Sequence, residues 1–177
     1  MDGYRLYLIS GIDGSFYDYD KGVGELITGV NVRKLAYNRQ LTFVQNIAHM
    51  REVISRDMQP CTLLGWSIGA VAACFLSDIA NVHAAIVINA FYKRSEVLAA
   101  RNIFCDEEVC VGDTKRQNVR YAIIRGAKDN KIPPHESERI RQHYTLQEDC
   151  LFTFTEACHS IRSFPTEELS SIITKYL

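Results

Sequence analysis

Gly65-Trp66-Ser67-Ile68-Gly69 is the stretch on which the reading of this chain turns. It has the form G-x-S-x-G, and its flanks give it a setting. The apolar residues 61–64 run into it, and the Ala-rich residues 70–76 run out of it. That order predicts a buried strand, a sharp turn and a helix, with the serine at the apex of the turn. The hydroxyl projects from the end of the strand. The N-terminal N–H groups of the helix, and the positive end of its dipole, point at the same place. The glycines have a steric reason: the turn presses two backbones together, and a Cβ at 65 or 69 would crowd them. A Gly/Ser turn capping an ordinary helix is the plain alternative, and the apolar context on both sides argues against it.

Outward from the elbow, strands and helices alternate. Residues 4–10 read as a buried strand ending at Gly11, and residues 12–24 as a Gly/Asp/Tyr-rich loop. A weak second strand falls at 30–37. Thr42 with Gln45 three residues on is a capping-box pattern. Phe43, Val44, Ile47, Met50, Ile54 and Met58 then recur at a helical period until Pro60. Residues 61–66 form the third strand, 68–79 a helix and 83–89 the fourth strand. Residues 119–125 and 150–155 form the fifth and sixth strands. Pro134 begins a helix running to about Tyr144. A last helix follows Pro165, with Thr166 as its expected N-cap and Glu167 and Glu168 in its first turn. The middle strands are apolar on both faces. This predicts an α/β fold: a mostly parallel sheet of about six strands with helices on both faces.

Composition bounds the function. A chain of 177 residues predicts one domain, residues 1–177, and 47% hydrophobic residues suffice for a sizeable core. Twenty basic and 21 acidic residues give a net charge of −1, which is not the footprint of a nucleic-acid binder. No apolar run approaches a membrane span, and residues 1–5 lack a basic segment leading into a long apolar one. The expectation is a cytoplasmic protein that engages neither nucleic acid nor membrane. The six cysteines contain no C-x-x-C, and a surface-loop coincidence accounts for Cys105 and Cys110 better than a pairing or a metal. Asp13, Asp18 and Asp20 fail the EF-hand spacing, and no Glu closes the loop, so no metal site is expected.

Two further stretches complete a pattern. Asp129 lies in Gly126-Ala127-Lys128-Asp129-Asn130-Lys131-Ile132-Pro133, just after the fifth strand. His159 lies in Ala157-Cys158-His159-Ser160, just after the sixth. With Ser67 after the third, the chain resembles the α/β-hydrolase superfamily, whose triad runs Ser, Asp or Glu, then His. The resemblance covers essentially the whole chain. The family's first two strands have no counterpart, so the chain looks like a minimal, single-domain serine hydrolase with sheet order 2-1-3-4-5-6. Each residue also has a bland reading. Asp129 sits in a Lys-Asp-Asn-Lys stretch that makes a surface turn unaided, and His159 could be a solvated loop histidine. The other histidines are placed worse: His49 and His143 within helices, His83 at a strand start, His135 at a helix N-terminus.

The resemblance implies the roles. Ser67 is the nucleophile, His159 the base and then the acid, and Asp129 fixes the imidazole tautomer. The oxyanion hole takes one N–H from Ile68 and one from Ile12, in the loop after the first strand. Ser10 stands there where the family often has histidine, and Asp13 brings a charge that is expected to point away. The implied reaction is hydrolysis of a small-molecule carboxylic ester or thioester through an acyl-enzyme, with no cofactor. Two alternatives stand beside it. One is a thioesterase or acyltransferase acting on acyl-CoA or an acyl-carrier protein. The other is a hydrolase-fold binding protein without turnover. Residues 91–118 read as a short lid-like excursion. Trp66, Phe91, Tyr92, Phe16 and Tyr17 are candidate substrate-binding walls, with ordinary core packing as the equal alternative.

Overall fold

The computed structural model of the chain describes residues 5–12, 14–16, 19–20, 27, 29–97, 109–113 and 118–177. Six strands form one sheet: β1 (Arg5–Ile9), β2 (Asn31–Leu35), β3 (Cys61–Trp66), β4 (Val82–Ile88), β5 (Arg120–Gly126) and β6 (Leu151–Phe154). Their spatial order is β2-β1-β3-β4-β5-β6, and every neighbouring pair is parallel. Parallel neighbours cannot be joined by a hairpin and need crossover connections. Among the described residues four α-helices lie between and after the strands: α1 (Phe43–Ser55), α2 (Ile68–Leu76), α3 (His135–His143) and α4 (Thr166–Lys175).

Alternation along the strands divides the core in two. Tyr7, Ile9, Leu63, Val87 and Ile123 face one side and join Ile47, Met50 and Ile54 of α1, Val71 of α2 and Ile140 of α3. Leu6, Leu8, Leu64, Ile86 and Ile124 face the other side and join Leu169, Ile172 and Ile173 of α4. Because both faces of the central strands are covered, β3 and β4 read as continuous apolar runs rather than as alternating ones. β2 is an edge strand, exposed at Asn31 through Lys34 and buried only at Leu35. Its charges suit an edge that must not pair with another chain, and they are why its sequence signal is weak.

Helix starts follow local chemistry. The Thr42 hydroxyl accepts the Gln45 N–H at 3.2 Å, and the Gln45 side chain accepts the Thr42 N–H at 2.9 Å. At α4 the expectation is corrected. Thr166 is the first helical residue, and Pro165 occupies the cap position with φ −58° and ψ 116°. Proline's fixed φ suits a helix start, and it lacks the N–H that a cap would have to satisfy.

The excursion after β4 begins as an antiparallel ribbon. Lys93 pairs with Cys110, the Arg94 N–H donates to the Val109 carbonyl at 2.7 Å, and the Val111 N–H donates to Tyr92 at 3.0 Å. The ribbon is fastened to α3. The buried Glu136 carboxylate accepts the Tyr92 N–H at 2.8 Å, and the Tyr144 hydroxyl donates to the Gly112 carbonyl at 2.9 Å. Residues 98–108 and 114–117, with Cys105 and Asp106 among them, lie outside the described residues. Among the described residues no helix is long and apolar enough to cross a membrane.

Candidate active site

Ser67 closes β3 and precedes α2, with φ 57° and ψ −123°. A non-glycine residue there carries strain of about 1–3 kcal/mol, which persists only where the surroundings fix it. They do so here. The Ser67 N–H donates to the Ile88 carbonyl at 2.9 Å, and its carbonyl accepts the Ala70 N–H at 3.0 Å. The hydroxyl makes no capping bond to its own helix. A Cβ on Gly65 would lie 2.1 Å from the Gly69 carbonyl oxygen, and one on Gly69 would lie 2.3 Å from that of Ile9 and 2.4 Å from that of Ser10. Both glycines are therefore required by backbone approach, and the first turn of α2 is pressed onto the end of β1.

Asp129 sits in the loop after β5, 7% exposed. Its two oxygens divide the work. Oδ1 accepts the N–H groups of Lys131 at 2.8 Å and Ile132 at 3.0 Å. Oδ2 lies 2.7 Å from Nδ1 of His159. One oxygen thus braces the turn and the other meets the imidazole. With a carboxylate as acceptor, Nδ1 must carry the proton, which leaves Nε2 with its lone pair free to act as a base. Glu156 is exposed and pairs with Lys128.

Trp66 stands between the loop after β1 and the histidine loop. Its indole N–H donates to the His159 carbonyl at 2.7 Å, and its ring centroid lies 5.3 Å from the imidazole. A Cβ on Gly11 would meet the indole at 2.9 Å. In the loop after β1, the Gly14 N–H donates to the Gly11 carbonyl at 3.1 Å, which closes a turn containing Ile12. Ile12 is half-buried, and its carbonyl accepts Nε–H of Arg39 at 2.8 Å. Ile68 is the first residue of α2, where N–H groups have no intrahelical partner. Ser10, the departure from the family's histidine, is fully buried, and its hydroxyl accepts the Tyr37 N–H at 2.9 Å, tying β1 to β2. Asp13 and Tyr17 lie outside the described residues.

Of the other candidate walls, Phe91 is a core residue, 1% exposed, which corrects its assignment to a pocket. Tyr92 carries the Arg139 guanidinium 4.6 Å above its ring and meets His143 edge-on at 5.2 Å, so it packs on α3. Phe16 is half-buried beside Tyr19 and Lys34. A depression of about 580 Å³ beside Tyr121, Cys150 and Tyr176, and one of about 560 Å³ beside Asp57, Met58 and Asn81, open at the N-terminal ends of the strands, away from Ser67. Cys158 is exposed next to His159, and the Ser163 hydroxyl and the backbone at Ser160 hold its thiol below the usual range.

One residue that nothing in the sequence marks is Asn89, directly after β4. It is 2% exposed and has φ 48°. Its amide nitrogen donates to the carbonyls of Cys158 and His159, both at 3.0 Å, and its amide oxygen accepts the Gly126 N–H at 2.9 Å.

This sheet order, with a strained serine after β3 and a carboxylate–imidazole pair after β5 and β6, is the α/β-hydrolase fold. Solved structures of that fold superpose over nearly the whole chain. The ydeN gene product of B. subtilis aligns with a TM-score of 0.76 at 15% identity, covering 98% of each chain. MGS-MChE2, an alpha/beta hydrolase enzyme from the metagenome of lagoon sediments of Mar Chica, Morocco, aligns at 0.76 and 16%, covering 99% of this chain and 90% of that one. Est1E from Butyrivibrio proteoclasticus aligns at 0.68 and 14%, covering 98% and 86%. No protein-family model and no curated protein sequence matches the chain.

Proposed function

We propose that this protein is a serine hydrolase that cleaves a carboxylic ester or thioester through an acyl-enzyme. The observation that carries the reading is the strained Ser67 backbone, φ 57° and ψ −123°, on the same rim as an imidazole already hydrogen-bonded to a buried carboxylate. Strain of this kind is kept where it presents a reacting group. Solved structures with this fold include Est1E and a monoacylglycerol lipase of Paleococcus ferrophilus, which agrees with acyl-ester chemistry.

The steps follow from the placement. Ser67 Oγ attacks the acyl carbon while His159 Nε2 takes its proton. The oxyanion is met by the N–H groups of Ile68 and Ile12. His159 then gives the proton to the departing alcohol or thiol, leaving the acyl group on Ser67. A water, deprotonated by the same Nε2, releases the acid and restores the serine. Asp129 keeps the proton on Nδ1 throughout and stabilises the imidazolium between steps. The test is steady-state kinetics on p-nitrophenyl esters and acyl-CoAs of graded chain length, with Ser67→Ala as the control. Hydrolysis lost in Ser67→Ala supports the reading. Hydrolysis unchanged in that variant, or a wild type inert to the whole panel, defeats it.

A further inference from the structure

Residues 88 and 89 at the end of β4 touch all three segments that carry the proposed triad. The Ile88 carbonyl accepts the N–H of Ser67 at 2.9 Å. Asn89 reaches the other two. Its oxygen accepts the N–H of Gly126, three residues before Asp129, and its nitrogen donates to Cys158 and to His159 itself. Its own N–H continues the ladder to the Ile124 carbonyl at 2.8 Å. The acid loop and the histidine loop are also in backbone contact. The Lys128 N–H donates to the Ala157 carbonyl at 2.9 Å, and a Cβ on Gly126 would lie 2.4 Å from that same oxygen.

We propose that Asn89 is a positioning residue that sets the distance between Asp129 and His159 by bridging their two loops with one buried amide. The proposal rests on the serine-hydrolase reading for its catalytic consequence and on geometry for the bridge. Three features make asparagine the fitting residue. The amide supplies two donors and an acceptor, and all three are used. Only one amide orientation satisfies them, because Gly126 offers a donor and residues 158 and 159 offer acceptors. The backbone at φ 48° is one that asparagine tolerates better than most residues. The His159 carbonyl is thereby held by two donors, the Trp66 indole and the Asn89 amide, so the imidazole is fixed at its backbone as well as at Nδ1.

Asn89→Asp keeps the shape and the bond from Gly126 but sets an oxygen against two carbonyls. Asn89→Gly removes the bridge and relaxes the backbone, so it folds even if the buried charge of the first variant prevents folding. Two measurements are made on each. One is the exchange rate of the His159 Nδ1 proton by NMR, assigned by its loss in His159→Gln. The other is kcat and KM on a p-nitrophenyl ester, normalised to sites titrated with a fluorophosphonate. The expected result is Nδ1 proton exchange at least ten times faster, with kcat per titrated site lowered roughly 10- to 100-fold and KM little changed. A purely structural role lowers the melting temperature and the number of titratable sites while leaving the Nδ1 proton protected and kcat per site intact. That outcome in the folded variants overturns the proposal. A wild type that neither turns over nor titrates, but whose Nδ1 proton loses protection in the variants, defeats the hydrolase reading and leaves the bridge standing.

Discussion

Gly69→Ala gives a test in which the magnitude comes directly from backbone geometry. The added methyl would sit 2.3 Å from the Ile9 oxygen, 2.4 Å from the Ser10 oxygen and 2.9 Å from the Ile9 carbonyl carbon. Carbon does not approach carbonyl oxygen closer than about 3 Å, so α2 and the end of β1 must part by about 0.7 Å even at the closest tolerable contact. The Ile9 atoms belong to a strand bonded on both sides, to β2 and to β3, the Ser10 oxygen to the residue directly after it, and none can rotate clear as a side chain would. Overpacking of this kind costs about 1–3 kcal/mol, and a backbone obstacle puts the expectation at the upper end. The displacement falls between Ile68 and the Ile12 loop, the two proposed sources of oxyanion donors, and a shift near 1 Å at a reacting centre costs about 100-fold in rate. Urea unfolding and ester hydrolysis per titrated site measure the two effects separately. A variant with wild-type stability and turnover would refute the packing argument at the elbow.

Asp129→Asn should keep the fold and lower kcat by about three to four orders of magnitude, because the amide favours the wrong imidazole tautomer; steady-state kinetics with a thermal-melt control reads both. Asp57→Asn should flatten the acid side of the stability curve in urea titrations across pH. Burial raises the Asp57 pKa, but the Tyr7 hydroxyl, the Gln59 N–H and Arg5 outweigh it and hold the carboxyl below its usual value. A depressed folded pKa gives stability that is complete above the unfolded value, about 3.9, and is lost as pH falls through the folded one. Asp57→Ala, which strands the buried Arg5 charge, should cost about 3 kcal/mol. Phe91→Ala should cost about 3–5 kcal/mol and leave KM unchanged, since the ring fills core rather than pocket; a raised KM with native stability would return it to the site.

The parts of this molecule that were legible in its sequence are those governed by local rules. The strand–elbow–helix of 61–76 follows from an apolar run, two glycines forced by backbone approach and an Ala-rich helix start. The capping box at Thr42 follows from two side chains three residues apart. Sheet order followed from the resemblance, since nothing in a single strand says which neighbour it takes. Phe91 was opaque because an aromatic residue at a strand end serves core or pocket equally, and only the packing around it decides. Asn89 was invisible for a different reason. Its partners lie 37, 69 and 70 residues away, so no window of sequence contains the bridge. Ser10 likewise has its reason in Tyr37, across a strand pair.

The central claim is that Ser67 is a nucleophile activated by His159. Reaction with a fluorophosphonate, followed by intact-mass and peptide mass spectrometry, tests it without a substrate having to be known. The account predicts one adduct per chain, mapped to Ser67, absent in Ser67→Ala and slowed by orders of magnitude in His159→Ala. No adduct on the folded wild-type protein, or an adduct that maps elsewhere and survives Ser67→Ala, would contradict it.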